Sequence, residues 1–398
     1  MVYSLQFIVI GGDTVDKRFI AERHKNAPAG LALNTEAMLK YKDDIIELSI
    51  GDTDFTTDER IIEAAFEDAR RGYTHYGFPK GDPELIDAFI RAWKEDHGQD
   101  LDPESVTVSA SSMMGMQTAL LAMLDPGDEV IIFSPYFTPY ASQIKNAGGV
   151  PVIVSTYASE NFDIPRKRLE EAITPRTKAV IFNNPCNPTG RFYPLSTQQM
   201  LADIAKEKDL VIIADEIYTS FVYEGEFVPM RTLEGMEERT ITLNSFSKNF
   251  LMTGWRIGMI ISDPAFAAVI KNINTDYIYT APSISQRAAI KALEIREDIK
   301  KTYISKYRER VEYSSKRLEA VPYLSLVPPG GTFYIFPGIQ KTGLTSAEFT
   351  DQLLERAHIL VTPGTAFGPA GEGHFRISCT VPKYKLKEAL DRMEKLSF

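Results

Sequence analysis

A chain of 398 residues, 44% hydrophobic and 25% charged, has room for about two domains and an ordinary globular composition, neither disordered nor fibrous. Its formal net charge of -10 argues against a surface for nucleic acid or anionic membrane, and no basic run offsets it. Two cysteines, Cys186 and Cys379, are too few for a disulfide scaffold, so a reducing compartment is expected.

The N-terminal MVYSLQFIVIGG holds a short apolar run without a basic n-region or a small-residue cleavage site. It reads as an ordered arm or strand rather than a signal peptide. Nothing approaches the roughly 18 continuous apolar residues of a membrane-spanning helix. A cytoplasmic protein with no membrane partner is expected. From about residue 105 short apolar runs alternate with helical stretches: VTVSA (106–110), EVIIF (129–133), VPVIV (150–154), KAVIFN (178–183), LVIIAD (210–215), TITLN (240–244) and IGMIIS (257–262). Near-continuous Val/Ile runs of this kind suit strands covered on both faces. Their alternation with helices predicts a mainly parallel sheet in a three-layer α/β/α domain. The intervening helix at about 113–124 is apolar on most sides, so it is expected to be buried.

After residue 295 a long charged helix (about 295–319) leads to strand and turn text, a helix at 346–357, HILVTPG, HFRISCT and a last helix at 383–396. This predicts a smaller α+β domain built from 1–48 and 296–398, beside a large domain at 49–295.

In open α/β sheets ligands bind beyond the carboxyl ends of the strands. KAVIFN is followed by NPCNPTG, LVIIAD ends in Asp215 and continues to Tyr218, TITLN runs into Ser245, Ser247 and Lys248, and EVIIF leads to Phe137. Asn187, Asp215, Tyr218, Lys248 and Phe137 would then meet at one rim. Each alone has an ordinary explanation: a cap, a turn, a surface charge, a core ring. Together at successive strand ends they fit one chemistry. A lysine nucleophile attacks carbonyls as a Schiff base, and its familiar cofactor is pyridoxal phosphate. The phosphate needs hydroxyls, an arginine and free helix amides, offered by Ser245, Ser247, Arg256 and the helix start at Ser112 and Met113. The pyridine nitrogen needs a buried carboxylate, Asp215. The phenolate oxygen needs donors, Asn187 and Tyr218. The ring face needs an aromatic, Phe137.

SFSKNFLMTGWRIG (245–258), NNPCNPTG (183–190), ADEIY (214–218) and LDPGDEVIIFSPYF (124–137) resemble the class I/II aminotransferases of the fold-type I pyridoxal-phosphate enzymes, in the subgroup of bacterial aspartate and aromatic enzymes. The resemblance runs from LSIGDTDF (48–55) to HFRIS (374–378). It implies that Arg376 clamps the substrate α-carboxylate, that the backbone of Gly51 approaches substrate, and that Asn187 serves both substrate and cofactor. It implies that Tyr76, preferred to Tyr73 on its spacing to Gly81, reaches the phosphate of a neighbouring subunit in a homodimer with shared sites. The implied reaction passes an amino group from an L-amino acid to a 2-oxo acid by a ping-pong route, with Lys248 as imine partner and proton shuttle and with no metal.

Two departures stand out. Met113 replaces a hydroxyl or lysine common in relatives, which weakens a dedicated aspartate specificity. Thr53 stands where proline is commoner. A carbon–sulfur β-lyase on the same scaffold would keep the same residues, and a non-enzymatic cofactor-binding regulator would need a DNA-binding extension that the sequence lacks. The donor stays open among aromatic amino acids, aspartate, alanine, methionine, kynurenine and an N-acylated diaminopimelate. Loops that include 25–35 are expected to line the side-chain pocket.

Overall fold

The computed structural model describes residues 40–42 and 44–398, with positions 19 and 21. The expected N-terminal arm and the 25–35 loop lie outside these residues. β1 (Ile46–Glu47) comes first. All seven apolar runs then form strands of one sheet: β2 (Val106–Ser109), β3 (Glu129–Ser134), β4 (Val150–Ser155), β5 (Thr177–Asn183), β6 (Val211–Asp215), β7 (Thr240–Ser245) and β8 (Gly258–Ile261). Their order is β2-β8-β7-β6-β5-β3-β4. β8 runs antiparallel to both its neighbours, and the remaining pairs are parallel.

Period-two geometry explains how both faces are covered. On β3, Val130 and Ile132 face a layer that includes Met116, Ala119 and Leu120 of the helix Ser112–Met123. Ile131 and Phe133 point to the opposite layer, with Leu201, Ala202 and Ile204 of the helix Leu195–Glu207. A run that is apolar on every residue is therefore buried on every residue. The helix Ser112–Met123 departs from the expectation of full burial. Its inner side is buried, but Met113 is 37% exposed and Leu121, Ala122 and Met123 are half-buried. The described residues do not cover that outer side.

A second group of elements follows. β1 pairs in parallel with β10 (Ile359–Leu360), and β11 (Thr362–Pro363), β12 (Phe375–Ser378) and β9 (Tyr334–Ile335) form an antiparallel sheet in the order β11-β12-β9. The helices Ser305–Glu319, Ser346–Ala357 and Lys383–Met393 pack on these strands through Val311, Leu318, Phe349, Leu353, Leu386 and Leu390. A capping box between Thr345 and Glu348 starts the second of these helices. The expected long charged helix is interrupted: Arg296–Ile299 passes into a π turn at Lys300–Ile304 before Ser305. The wider turn brings Ile299 and Ile304, 0% and 3% exposed, to the buried side together. Tyr218, Phe221 and Leu251 join the same apolar cluster, so the two groups share core where they meet.

Candidate active site

Strand register assembles the rim. Asn183 at the end of β5 lies opposite Asp215 at the end of β6, and Asp215 lies opposite Leu243 on β7. The Asn183 amide donates to the Asp215 carbonyl at 2.9 Å, and its side-chain oxygen accepts from the Asn187 N–H at 2.8 Å. The NPCNPTG turn is thereby fixed to the end of β6.

Asp215 is 5% exposed. Its Oδ2 accepts from the Tyr140 hydroxyl, and its Oδ1 has no hydrogen-bond partner within the chain. Burial pushes its carboxyl up from the ordinary 3.8 to about 6, against the pull of Tyr140 and the Ile217 N–H. An orphaned buried carboxylate oxygen calls for a partner. Phe137 packs edge-on to Tyr140 at 5.6 Å.

Ser245 caps the short helix Phe246–Asn249, accepting from the Ser247 N–H at 3.1 Å. That helix carries Lys248. The Lys248 ammonium donates to the carbonyl of Gly51 at 2.5 Å. Burial first, then Arg256 and Arg376, press its pKa down from 10.5 to about 8, with Asp52 opposing. Gly51 itself is pinned: a Cβ there would lie 1.7 Å from the Tyr334 hydroxyl. Tyr334 in turn accepts from the buried Tyr218 hydroxyl at 3.3 Å.

Ser245 faces Gly258 across the β7–β8 pair. A Cβ on Gly258 would lie 2.8 Å from the Ser112 nitrogen, so only glycine lets the helix start approach this closely. Ser111, with a left-handed φ of 96°, turns the chain into that helix and makes no side-chain cap. The amides of Ser112 and Met113 are thus free at a helix N-terminus beside Ser245. Arg256 also holds a left-handed φ of 53°, is exposed, and donates to the Thr253 carbonyl at 2.7 Å.

Arg376 on β12 is 3% exposed. It donates from Nη1 to Asn187 Oδ1 at 2.9 Å and from Nη2 to the Ser49 carbonyl at 2.5 Å, while its Nε has no partner. Its guanidinium lies 4.4 Å from the Tyr334 ring centroid and 4.8 Å from that of Phe367.

Tyr76, expected to serve a neighbouring subunit, is 82% exposed and packed edge-on to Tyr279 at 4.8 Å. Among the described residues no His/Cys/Asp/Glu group could hold a metal ion, and no helix is long and apolar enough to cross a membrane. Sequence reasoning missed Tyr140, Tyr334 and Asn183. Tyr140 could have been noticed three residues beyond Phe137 in SPYFTPY, and Asn183 as the polar end of an apolar run. Tyr334 lies in strand text with no local mark of its partner 116 residues away.

A lone oxygen on a buried carboxylate, uncapped helix amides beside Ser245, and a lysine of depressed pKa match the three ends of pyridoxal phosphate: ring nitrogen, phosphate and aldehyde. A sequence model described as Aminotransferase class I and II matches residues 43–393. An aspartate aminotransferase of Pyrococcus abyssi is 41% identical over 89% of this chain and 92% of its own. An aromatic-amino-acid aminotransferase of Thermococcus litoralis is 40% identical over 88% and 91%. The solved aspartate aminotransferase of Thermus thermophilus with maleate superposes with a TM-score of 0.87 at 34% identity, covering 93% of this chain and 97% of that one. The chain belongs to the class I and II aminotransferases and is a pyridoxal-phosphate-dependent enzyme of that family.

Proposed function

We propose that the rim formed by Lys248, Asp215, Asn187 and Arg376 is the transamination centre, and that it moves an amino group from an aromatic or acidic L-amino acid to a 2-oxo acid in two half-reactions. The observation that carries this is the unpaired Oδ1 of buried Asp215 on the same rim as a lysine whose pKa is depressed to about 8. When bound, pyridoxal phosphate supplies an electron sink that acidifies the α-proton of an attached amino acid. Asp215 holds a proton at the ring nitrogen. Asn187 would donate to the phenolate oxygen, as would Tyr218 with its hydroxyl turned from Tyr334, and Phe137 would cover the ring. Ser245, Ser247, Arg256 and the Ser112 and Met113 amides hold the phosphate. Arg376 binds the α-carboxylate as a planar fork, oriented by Asn187. Lys248 would take the α-proton and return it across the amino nitrogen, to the carbon that carried the cofactor's aldehyde. Burial holds this amine's pKa down, to about 8, which favours the free base that a general base requires.

The uncovered side of the helix Ser112–Met123 and the exposed Tyr76, Tyr277 and Phe78 support a homodimer in which Tyr76 reaches the partner's phosphate. In this reading residues 49–295 hold the cofactor, and residues 296–398 supply Arg376 to the substrate. The setting is cytoplasmic. The thioether of Met113 at the helix start supports aromatic donors ahead of aspartate.

Titrating the holoenzyme with single amino acids, without oxo acid, tests this by visible absorption. Conversion to the pyridoxamine spectrum, with aromatic donors acting at the lowest concentration, is the expected result. Pyruvate release with the original band retained would replace the transferase by the carbon–sulfur lyase, which the named relatives do not favour.

A further inference from the structure

The segment 48–57 runs across both working ends of the site. Its Ser49 carbonyl accepts from Arg376 and its Gly51 carbonyl from Lys248. Thr253 Oγ1 donates to Asp52 at 2.7 Å, Thr57 Oγ1 donates to the Leu251 carbonyl at 2.7 Å, and the Trp255 indole donates to Thr57 Oγ1 at 3.0 Å. Asp54 turns the other way, to the helix Ser305–Glu319. Arg310 donates to its two oxygens at 2.7 and 3.0 Å, and the Tyr307 hydroxyl donates to Oδ1 at 3.0 Å. Arg310 is 7% exposed, and its guanidinium lies 4.9 Å from the Phe55 ring centroid and 5.1 Å from that of Tyr307. A bidentate, stacked and desolvated pair differs from the exposed ion pairs that contribute little.

Asp54 lies three residues from Gly51, roughly 10 Å of extended chain, too short to absorb a shift at the anchor. We propose that Asp54, Tyr307 and Arg310 are positioning residues, a clasp that sets the segment so that the Gly51 carbonyl meets the Lys248 amine and the Ser49 carbonyl meets Arg376. This rests on Lys248 and Arg376 being the working groups. The charges around the amine are Asp52, carried by the same segment, and Arg256 and Arg376. With the clasp loosened, water reaches the amine, and burial is the largest influence on it.

The test uses Arg310→Lys, which keeps the charge but loses the fork and the stacking, and Tyr307→Phe, which removes one donor. In the cofactor-free full chain, acetylation of Lys248 as a function of pH, read by mass spectrometry, gives its titration midpoint. In the holoenzyme, KM and kcat are measured with the best donor. The expected result for Arg310→Lys is a midpoint about one pH unit higher and a kcat/KM roughly tenfold lower, with a smaller change in the same direction for Tyr307→Phe. An unchanged midpoint and unchanged kcat/KM alongside a lower melting temperature would overturn the proposal and leave the clasp a structural tie. If Arg310→Lys does not fold, Tyr307→Phe decides by the same midpoint. Failure of the wild-type enzyme to transaminate would remove the proposed function, and the labelling midpoint would still decide the clasp.

Discussion

Two buried carboxylates on one sheet behave in opposite ways. Glu129 begins β3 and Asp215 ends β6, and each is 5% exposed. Glu129 is saturated: Thr174 donates at 2.6 Å, and Arg176 donates through Nη2 at 2.6 Å and Nε at 3.1 Å. The Thr174 hydroxyl and then Arg176 hold its carboxyl below the usual range. Asp215 keeps one oxygen unpaired and is pushed up to about 6 by burial. At the amino end Glu129 is satisfied by its own chain, and at the carboxyl end Asp215 is not. The unmet oxygen of Asp215 is the one at the strand end that faces the proposed cofactor site, where a ligand donor would complete it.

Substitutions sharpen that contrast. The largest effect is expected at Lys248: Lys248→Ala should lower kcat by about 10³-fold or more, since both the proton shuttle and the cofactor's anchor are lost. Single-turnover kinetics would show it, and a residual rate within tenfold of wild type would place the base elsewhere. Asp215→Asn should lower kcat by about 10²–10³-fold by removing the charge that keeps the ring nitrogen protonated. It should also stabilise the cofactor-free protein at pH 8. A folded pKa of about 6 against an ordinary 3.8 means that the folded chain holds a proton which the unfolded chain has released between these values. Stability therefore falls as pH rises through that window, by about 3 kcal/mol for this group. Asp215→Asn should flatten the fall in denaturant unfolding from pH 4 to 7, and a curve as steep as wild type would contradict the assignment.

Arg376→Lys should raise KM for the amino donor by roughly a hundredfold while kcat changes less, because an ammonium cannot replace the two-pronged contact. Equal losses in both constants would show that Arg376 acts beyond binding. The smallest effect on activity belongs to Glu129→Gln. It should cost about 1–3 kcal/mol of stability by leaving Thr174 and Arg176 poorly matched, with kcat/KM unchanged. Glu129 contributes stability that is present above its unfolded pKa and lost as pH falls through its lower folded value, opposite to Asp215.

Much of the rim was legible because its residues follow strands that announce themselves. A Val/Ile run ending in Asp, or in Ser-Phe-Ser-Lys, places a side chain at a sheet edge by local rules alone. The antiparallel course of β8 was not legible, since periodicity carries no direction. Nor were the contacts across the molecule. Tyr334 to Tyr218, Arg376 to the Ser49 carbonyl and Arg310 to Asp54 join residues 116, 327 and 256 positions apart. Backbone carbonyls carry no sequence signature, so the acceptors for Lys248 and Arg376 appear only once the chain is folded. The uncovered side of the helix Ser112–Met123 was misread for a related reason. An apolar surface must be covered, but the pattern does not say by which chain.

In the proposed site the unpaired oxygen of Asp215 meets the cofactor's ring nitrogen. Nitrogen-15 NMR of the holoenzyme, prepared with pyridoxal phosphate labelled at that nitrogen, tests it directly at pH 8. The account predicts a protonated-pyridine shift in the wild type and its loss in Asp215→Asn. An unprotonated shift in the wild type, or a protonated one that survives the substitution, would contradict it.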